Sequence, residues 1–528
     1  MRWSHWLILA LQALVVGLFI AAVRSAVIPL GIPGEWEWLR VRAASPLAGL
    51  AVAAAAVAVF VAVAAWGDHE LSRKTVTRTR EGLWLAALAI AAVVVQFFIP
   101  WGAPDEYDLT KWAYVNYLAP STGYYQVARE QAMADPARFL ADYPLWIRDQ
   151  DSLHIGTHPP GLIAVQCLLL KTMERNGAMV DLLTRWMPYP VAAGFRQLEL
   201  SQQRLIPRSD RAALFLTALL TLAACAGTVL PLYLLARSTL PPRAAWGAAS
   251  LWPLAPAANL FQPGADTAYP FLSTLAVALA AWGSAWNAGS LGNTSASEST
   301  TVGGPSLSPG VTTSPGNLKR GATSSVALLL SVAAGGVLAT GMFFTLAFLP
   351  VGLIVALVIL STAGLSLRSR GLRLVAVGVG FLATVGLGWW LCEANPWVIW
   401  SWNLHHHARF YDEYPRSYFA WLAANPLELA VAIGLPSAVW CLAGLAIAGR
   451  GARFAWVTLG VLAILNLTGR NLGEVARLWL LFCPPLLTAA GAALDRAGRW
   501  PTPLAMTLAT LGFQTLALET MIQVVYPV

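Results

Sequence analysis

The chain has 528 residues, of which 57% are apolar and only 11% are charged, and its mean hydropathy is +0.60. This composition excludes a soluble globular protein, because too little polar surface remains to cover one. The formal net charge is +8. Because the basic residues lie in short segments between apolar runs, we attribute them to membrane topology and expect a lipid bilayer, and no nucleic acid, as the partner.

Apolar segments long enough to cross a bilayer recur along the whole chain. A helical span needs roughly 20 mostly apolar residues, so we predict an all-α polytopic membrane protein with about 13 to 15 transmembrane helices. The candidate segments lie near residues 6–23, 46–66, 82–100, 159–173, 178–195, 210–236, 244–262, 267–287, 324–340, 343–362, 373–391, 426–448, 454–468, 476–494 and 501–522. Hydropathy is weak in residues 179–195. For the basic segments on both sides to lie in the cytoplasm, however, the chain must cross the membrane an even number of times in this region, so we predict that residues 179–195 span or re-enter the membrane.

Basic residues between the apolar segments predict the orientation of the chain. The positive-inside rule places the basic segment 73–80 in the cytoplasm, so residues 82–100 run outward and residues 101–157 lie outside. Two further polar segments, 393–425 and 469–476, fall on the same side, and we expect the three to form one site. The high alanine content and short loops are typical of a bacterial plasma membrane.

Residues 289–323 separate two predicted transmembrane modules, 1–288 and 324–528. This segment is rich in Ser, Thr, Gly and Pro and ends near a Lys-Arg pair. It contains too few apolar residues to offset the entropy of ordering. We therefore predict a disordered cytoplasmic linker.

An acidic cluster, PDEYD at residues 104–108, directly follows an apolar segment, and the next apolar segment opens with THPPG at residues 157–161. Carboxylates at the edge of a bilayer are the first place to look for chemistry. The outer segment 101–157 mixes aromatic and charged residues. Within it, Asp135 followed by Pro136 is typical of a helix start, with an Asp cap and a proline in the first turn. We expect short interfacial helices in this segment.

This layout resembles that of the GT-C glycosyltransferases, which are multi-pass enzymes that use sugars linked to polyprenyl phosphate. Protein O-mannosyltransferases and lipid A aminoarabinose transferases share an acidic pair after an outward helix, like that in 104–108, and often have Pro-Pro-Leu where residues 159–161 are Pro-Pro-Gly. The basic stretch 237–243, which leads to FQPGAD at residues 261–266, agrees with the same pattern. The resemblance covers mainly residues 80–290.

The resemblance implies a GT-C-like fold and an enzyme that transfers a sugar, with inversion, from a polyprenyl-phosphate-linked donor to a glycan, lipid or protein acceptor at the extracytoplasmic face. Such a transfer needs a base for the acceptor proton while an oxocarbenium-like centre develops. We assign the base to Asp105, with Glu106 as the second choice. The leaving phosphate needs cationic or hydrogen-bonding partners at the membrane edge. The candidate residues for binding donor phosphate or substrate are Lys111, His158, Asp266, His405, His406, Arg416, Arg470 and Arg477.

Metal ligands are not assigned from the sequence. The consecutive histidines 405–407 do not converge easily on one ion, and the five cysteines show no short paired spacing. Members of the resembled superfamily differ in their need for a divalent cation, so the cofactor stays open.

Two other functions fit parts of the pattern. A flippase or transporter of lipid-linked sugars needs polar residues deep inside its spans, where this chain has mainly Ala, Val and Leu. A surface-polysaccharide ligase or polymerase also uses lipid-linked donors, and we expect its main outer segment later in the chain, as 393–425 would be. The sugar, the acceptor and the oligomeric state stay open.

Overall fold

The computed structural model describes residues 2–73, 76–292, 316–447, 449–498 and 502–523, and most of them are helical. The helices before residue 293 are α1 (Arg2–Arg24), α2 (Leu47–Leu71), α3 (Arg78–Phe98), α4 (Lys111–Tyr117), α5 (Tyr124–Val127), α6 (Pro136–Trp146), α7 (His154–Thr157), α8 (Gly161–Arg175), α9 (Gly177–Trp186), α10 (Tyr189–Gln202), α11 (Arg208–Gly227), α12 (Val229–Arg237), α13 (Pro242–Leu251), α14 (Pro256–Leu260) and α15 (Tyr269–Gly292). The helices after residue 315 are α16 (Gly316–Met342), α17 (Phe348–Leu360), α18 (Leu367–Cys392), α19 (Pro396–Glu413), α20 (Tyr418–Ile433), α21 (Leu435–Ala446), α22 (Arg453–Leu467), α23 (Val475–Leu478), α24 (Cys483–Ala497) and α25 (Thr502–Met521).

Single turns and very short strands complete the secondary structure of the described residues. The 3₁₀ turns are Ile99–Gly102, Ile147–Asp149, Trp252–Leu254, Ala265–Thr267, Arg450–Ala452 and Leu480–Phe482, and Ala128–Ala132 is a π-helical turn. The strands are β1 (Gly31–Ile32), β2 (Trp36–Glu37), β3 (Leu39–Arg40) and β4 (Ile522–Gln523). Strands β1 and β2 form an antiparallel hairpin, and β3 pairs antiparallel with β4, which directly follows α25.

Long apolar helices define an all-α multi-pass membrane protein, as predicted. Among the described residues, seven helices are long and apolar enough to cross a membrane, and the bent pair α20–α21 would make eight. The seven are Trp6–Arg24, Leu47–Leu71, Arg78–Gly102, Arg208–Arg237, Ala265–Ala285, Ser325–Met342 and Leu367–Cys392. The prediction of 13 to 15 spans was wrong for this part of the chain, because the other apolar segments fold into helices that are shorter, interrupted or more polar.

Prolines and glycines account for several of the interruptions. The apolar segment 244–262 is divided near Pro253 and Pro256, because proline lacks the backbone N–H that would continue a helix and clashes with the preceding turn. Helices α20 and α21 meet at an angle of 106°. Gly434 lies between them with a φ of +87°, a conformation that a residue with a side chain rarely adopts.

The two predicted modules pack against each other. Helices α1 and α2 contact α25, α1 also contacts α21, and α13 contacts α24. Most of the predicted linker, 293–315, lies outside the described residues, and its two ends belong to α15 and α16. The segment 159–195 forms α8, α9 and the start of α10, and not two spans.

The predicted outer segment 101–157 forms short helices, as predicted. The side chain of Asp135 accepts a hydrogen bond from the backbone N–H of Arg138 at 3.1 Å, and Pro136 is the first residue of α6. The predicted outer segment 393–425 is also helical. It forms α19 and the first half of α20, because Asn395 caps a helix that begins at Pro396.

Two glycines allow α16 and α18 to pack closely, and they make this packing testable. A Cβ atom on Gly335 would lie 1.9 Å from the carbonyl oxygen of Val377, and one on Gly380 would lie 1.9 Å from that of Val332. We expect Gly335→Ala or Gly380→Ala to lower the free energy of unfolding by about 1–3 kcal/mol, the usual cost of overpacking. Thermal unfolding in detergent, followed by tryptophan fluorescence, measures the effect.

Gly378 provides the matched control for this prediction. It lies in α18, and a Cβ atom there would meet nothing within 4 Å. Gly378→Ala should therefore leave stability unchanged or raise it slightly, because alanine has the higher helix propensity. Equal stabilities for all the variants would show that α16 and α18 are not packed this closely.

Candidate active-site cavity

A cavity of about 1090 Å³ lies where the three predicted outer segments meet. Segment 101–157 contributes Tyr124, His154 and Thr157 to its wall, and His158, the next residue, also lines it. The later segments contribute side chains from α19 and the turn before α23. The residues contributed by these later segments include Ser401, Leu404, His405, His407, Ala408, Phe410, Tyr411, Arg416, Arg470, Asn471, Leu472, Gly473 and Glu474. The three segments line one cavity, as predicted. That this cavity is the functional site, and the side of the membrane on which it lies, stay predictions.

Charged residues are concentrated on one wall of the cavity. The Nε atom of Arg477 lies 3.8 Å from Oδ2 of Asp266, and Nη2 of Arg477 donates to Oε2 of Glu474 at 2.8 Å. Nη2 of Arg416 donates to Oε1 of Glu474 at 3.0 Å. Glu474 is thus held by two arginines, whereas Asp266 contacts one arginine at a longer distance. With Arg470 included, the arginines exceed the carboxylates by one charge, so this wall favours an anion.

The pKa values of Glu474 and Arg477 agree with this pairing. Burial raises the pKa of Glu474, but the neighbouring Arg477 and Arg416 outweigh this effect and hold the pKa below its usual value. Burial lowers the pKa of Arg477, but Glu474 and Asp266 outweigh this effect and hold the pKa above its usual value. Both groups are therefore charged at neutral pH, and the ion pair is maintained.

An unusual turn presents Glu474 to the arginines. Gly473 and Glu474 both have positive φ values, +86° and +56°. A non-glycine residue in this region costs on the order of 1 kcal/mol, and such strain persists where surrounding contacts hold it. Here Nη1 of Arg416 donates to the carbonyl oxygen of Leu472 at 2.9 Å, and the Leu472 N–H donates to the hydroxyl of Tyr411 at 2.9 Å. These contacts position the turn against the cavity.

Three histidines on the cavity wall are neutral at neutral pH. Burial lowers the pKa of His154 to about 3, with further lowering by Arg477. Burial likewise lowers the pKa values of His158 and His407 to about 4. Nδ1 of His158 lies 2.9 Å from the carbonyl oxygen of His154, a contact that orients the ring. Neutral imidazoles can exchange hydrogen bonds with a ligand without adding charge to the site.

The half-buried, neutral histidines predict a loss of stability at acidic pH. The pKa of His158 is about 4 in the folded protein and 6.5 in the unfolded chain, so between these values only the unfolded chain binds the proton. Stability should therefore fall as the pH drops from 7 to 5, by up to about 2 kcal/mol for one such histidine. We expect His158→Asn to reduce this pH dependence.

The measurement is the difference in melting temperature between pH 7.5 and pH 5 for the purified protein in detergent. His69→Asn is the control, because His69 is an exposed histidine in α2. The same pH dependence in wild type and His158→Asn would contradict the assignment of a neutral His158.

The structure brings six of the predicted site residues together and places four elsewhere. The residues that line the cavity are His158, Asp266, His405, Arg416, Arg470 and Arg477. Asp105 and Glu106 are exposed in the turn before α4, outside the cavity wall. Asp108, in the same turn, is half-buried, and its carboxylate accepts a hydrogen bond from the backbone N–H of Thr110 at 2.7 Å.

Lys111 and His406 are buried in packing contacts outside the cavity wall. Nζ of Lys111 lies 3.5 Å from Oε2 of Glu519, and these side chains are 1% and 0% exposed. Nε2 of His406 lies 2.9 Å from the carbonyl oxygen of Ile147. Both side chains are therefore engaged with other parts of the protein, and the predicted contact with a donor phosphate does not fit their positions.

Some cavity residues were not predicted. Glu474 is held by Arg477, three residues later, and also by Arg416, 58 residues earlier. His154 and His407 are neutral because of burial and of charged neighbours that are distant in the chain. Trp36 also lines the cavity, from the hairpin between α1 and α2. The sequence WEW at residues 36–38 is an aromatic and acidic run between two apolar segments, and it was the available signal for this element.

Among the residues that the structure describes, no group of three or more His, Cys, Asp or Glu side chains is arranged to hold a metal ion. In comparisons with known proteins, no family model matches the chain and no curated protein matches it significantly. The fold and the cavity therefore define an all-α multi-pass membrane protein with an arginine-rich cavity.

Proposed function

We propose that this protein is a membrane glycosyltransferase of the GT-C type. It would transfer a sugar from a polyprenyl-phosphate donor to an acceptor at the outer face of a bacterial plasma membrane. The observation that carries the proposal is the pairing of Asp266 with Arg477, 3.8 Å apart, on the wall of a large and otherwise mainly apolar cavity. A carboxylate and a guanidinium side by side supply the two groups that this transfer needs, a base for the acceptor and a cation for the leaving phosphate.

The apolar part of the cavity suits the lipid portion of such a donor. Leu349 and Leu404 line the cavity and are also 50% and 53% exposed. Leu349 belongs to α17, an apolar helix. Exposed leucines in a membrane protein are suited to contact lipid. A polyprenyl chain could therefore leave the cavity on this side while its phosphate stays at the charged wall.

Asp266 is the carboxylate best placed to act as the base. Glu474 accepts hydrogen bonds from two arginines, which neutralise its charge and occupy its oxygens. Asp266 has the longer contact with Arg477, which leaves a carboxylate oxygen available to an acceptor hydroxyl. This proposal replaces Asp105 and Glu106 as the base, because those side chains are exposed outside the cavity wall.

The transfer would proceed by displacement at the anomeric carbon. The acceptor oxygen attacks this carbon, its proton passes to Asp266, and the bond between the anomeric carbon and the phosphate oxygen breaks. The electron pair of that bond stays on the phosphate, whose added charge Arg477 and Arg470 stabilise. Attack on the face opposite to the leaving phosphate inverts the configuration.

A flippase for lipid-linked sugars is the second candidate. Several polar side chains are buried among the helices, including Gln96 of α3, Gln262 after α14 and Glu519 of α25. Polar residues inside the membrane region are costly and often mark a transport pathway. The same donor would bind in either case, so the distinction is whether the bond to the phosphate is cleaved.

The test is an assay of the purified protein with a panel of radiolabelled polyprenyl-phosphate hexoses and pentoses. Envelope extract supplies the acceptor, and parallel reactions contain a chelator. We expect the release of free polyprenyl phosphate from at least one donor, and the chelator series shows whether a divalent cation is needed. Movement of an intact donor across proteoliposomes, without cleavage, would replace the proposal by the flippase. Neither cleavage nor movement would overturn both.

A further inference from the structure

The hairpin of β1 and β2 places an aromatic side chain at the charged end of the cavity. Ile32 pairs with Trp36 and Gly31 with Glu37, so Trp36 stands in the second strand, and its half-buried side chain lines the cavity. Because the hairpin comes from the segment between α1 and α2, it adds a wall that the helices do not provide.

Trp36 belongs to a continuous set of aromatic and charged contacts that leads to Arg477. Its ring centroid lies 6.3 Å from that of Trp421, and the guanidinium of Arg416 lies 5.8 Å from the centroid of Trp421. Arg416 in turn bonds to Glu474, which bonds to Arg477. Trp36 is therefore at the polar end of the cavity, where the sugar of a lipid-linked donor would lie.

Glu35 fastens the tip of the hairpin to α20. Its carboxylate accepts hydrogen bonds from the backbone N–H of Ser417 at 3.0 and 3.1 Å, from the Ser417 hydroxyl, and from Nε1 of Trp421 at 2.7 Å. Burial raises the pKa of Glu35, but these hydrogen bonds and Arg416 outweigh this effect and hold the pKa below its usual value. The carboxylate is thus charged at neutral pH, when the fastening is strongest.

The base of the hairpin is fixed as well. The backbone N–H of Trp38 donates to the carbonyl oxygen of Leu30 at 2.8 Å. The ring centroid of Trp38 lies 6.2 Å from that of Trp36. The next strand, β3, pairs with β4 after the last helix. Held at both ends, Trp36 has little freedom to turn away from the cavity.

We propose that Trp36 is a carbohydrate-binding residue of the cavity and that Glu35 is the residue that positions it. This proposal rests on the proposed function, because it assigns the sugar of the donor to the face of the Trp36 indole. The apolar faces of a sugar ring pack on an aromatic ring, and the indole supplies a large rigid surface at low entropic cost. A polyprenyl tail has no need of this position, because Arg416 and Glu474 make this end of the cavity polar.

The test compares binding of farnesyl phosphate with binding of its mannosyl, glucosyl and arabinosyl forms. In the wild type, at least one sugar should tighten binding over the bare lipid phosphate. Trp36→Leu should remove roughly ten-fold of that gain, which is the value of about one good aromatic contact. Trp36→Phe should retain most of the gain, and the affinity for bare farnesyl phosphate should be unchanged in both variants.

Trp186→Leu is the control, because Trp186 is 74% exposed in α9 and lies outside the cavity wall. It should retain the full gain from the sugar. A wild type that does not bind farnesyl phosphate would overturn the proposed function, and the role of Trp36 with it. A wild type that binds farnesyl phosphate, but gains nothing from any sugar or keeps its gain in Trp36→Leu, would overturn the role of Trp36 alone.

Glu35→Gln tests the positioning role by two readouts. Hydrogen–deuterium exchange in segments 30–38 and 415–421 should be faster than in wild type, because the charged acceptor of Ser417 and Trp421 is lost. The gain from the sugar should fall while the affinity for farnesyl phosphate stays the same. Faster exchange with an unchanged gain would show that Glu35 has only a structural role.

Discussion

Replacing Asp266 by asparagine should lower the rate of sugar transfer by at least two orders of magnitude, the usual contribution of a positioned general base. Asparagine has the same shape but cannot take the acceptor proton at neutral pH. The ion pair of Arg477 with Glu474 remains, with its hydrogen bond of 2.8 Å, so the protein should still fold. The measurement is single-turnover release of polyprenyl phosphate at saturating acceptor, with the melting temperature as a check on folding.

Asp105→Asn is the matched control for this prediction. The substitution is chemically identical, but Asp105 is exposed in the turn before α4 and lies outside the cavity wall. We expect its transfer rate to stay close to that of the wild type. Loss of transfer in Asp105→Asn, with normal transfer in Asp266→Asn, would instead place the base in the acidic cluster that the sequence singled out.

Arg477→Ala should have the largest effect on donor binding. Arg477 contacts the carboxylates of both Asp266 and Glu474. Its removal takes one positive charge from the wall, leaves Asp266 without its arginine and leaves Glu474 with Arg416 alone. We expect the Kd for a polyprenyl phosphate to rise roughly 100-fold, or about 3 kcal/mol, as is typical when one partner of a buried charged group is removed. Arg477→Lys should recover only part of the affinity, because lysine keeps the charge but loses the planar fork.

Substitutions of two further arginines show whether the loss of binding is specific to Arg477. Arg470→Ala should weaken binding less, because Arg470 is an exposed residue of the cavity and its charge is screened by solvent. Arg138→Ala should not change binding, because Arg138 is 80% exposed in α6 and pairs with Asp142 outside the cavity wall. Binding of labelled lipid phosphate at two salt concentrations measures all the variants. An equal loss in Arg138→Ala and Arg477→Ala would show that the cavity is not the phosphate site.

The candidate site was partly predictable. Arg477 and Arg416 were expected to bind the donor phosphate because they are cationic residues of the predicted membrane edge, and Asp266 was expected at the site from the family resemblance. These three side chains line the cavity. Asp105 was expected there because it directly follows an apolar segment, and it does not line the cavity. Hydropathy locates a residue at the edge of a membrane, but it does not determine whether the side chain points toward a cavity or toward solvent.

The fold was predictable to a similar extent. The apolar composition required a helical membrane protein, since lipid cannot satisfy the backbone of other open structures. The number of spans was overestimated because hydropathy counts apolar residues whether they face lipid or protein. Helix α13, for example, has an apolar sequence and is buried against α24, and the chain breaks between it and α14 near Pro253.

The sequence by itself determined the membrane class, the helix start at Asp135 and the meeting of three polar segments at one cavity, because these follow from local composition and from the parity of crossings. Only the tertiary structure decided that Asp266 faces Arg477, that Glu474 is held by two arginines, and that a hairpin brings Trp36 to the cavity. Apart from the contact of Glu474 with Arg477, three residues later, these contacts join residues that are far apart in the chain. Their geometry depends on how helices break, turn and pack, and no local pattern of residues encodes that outcome.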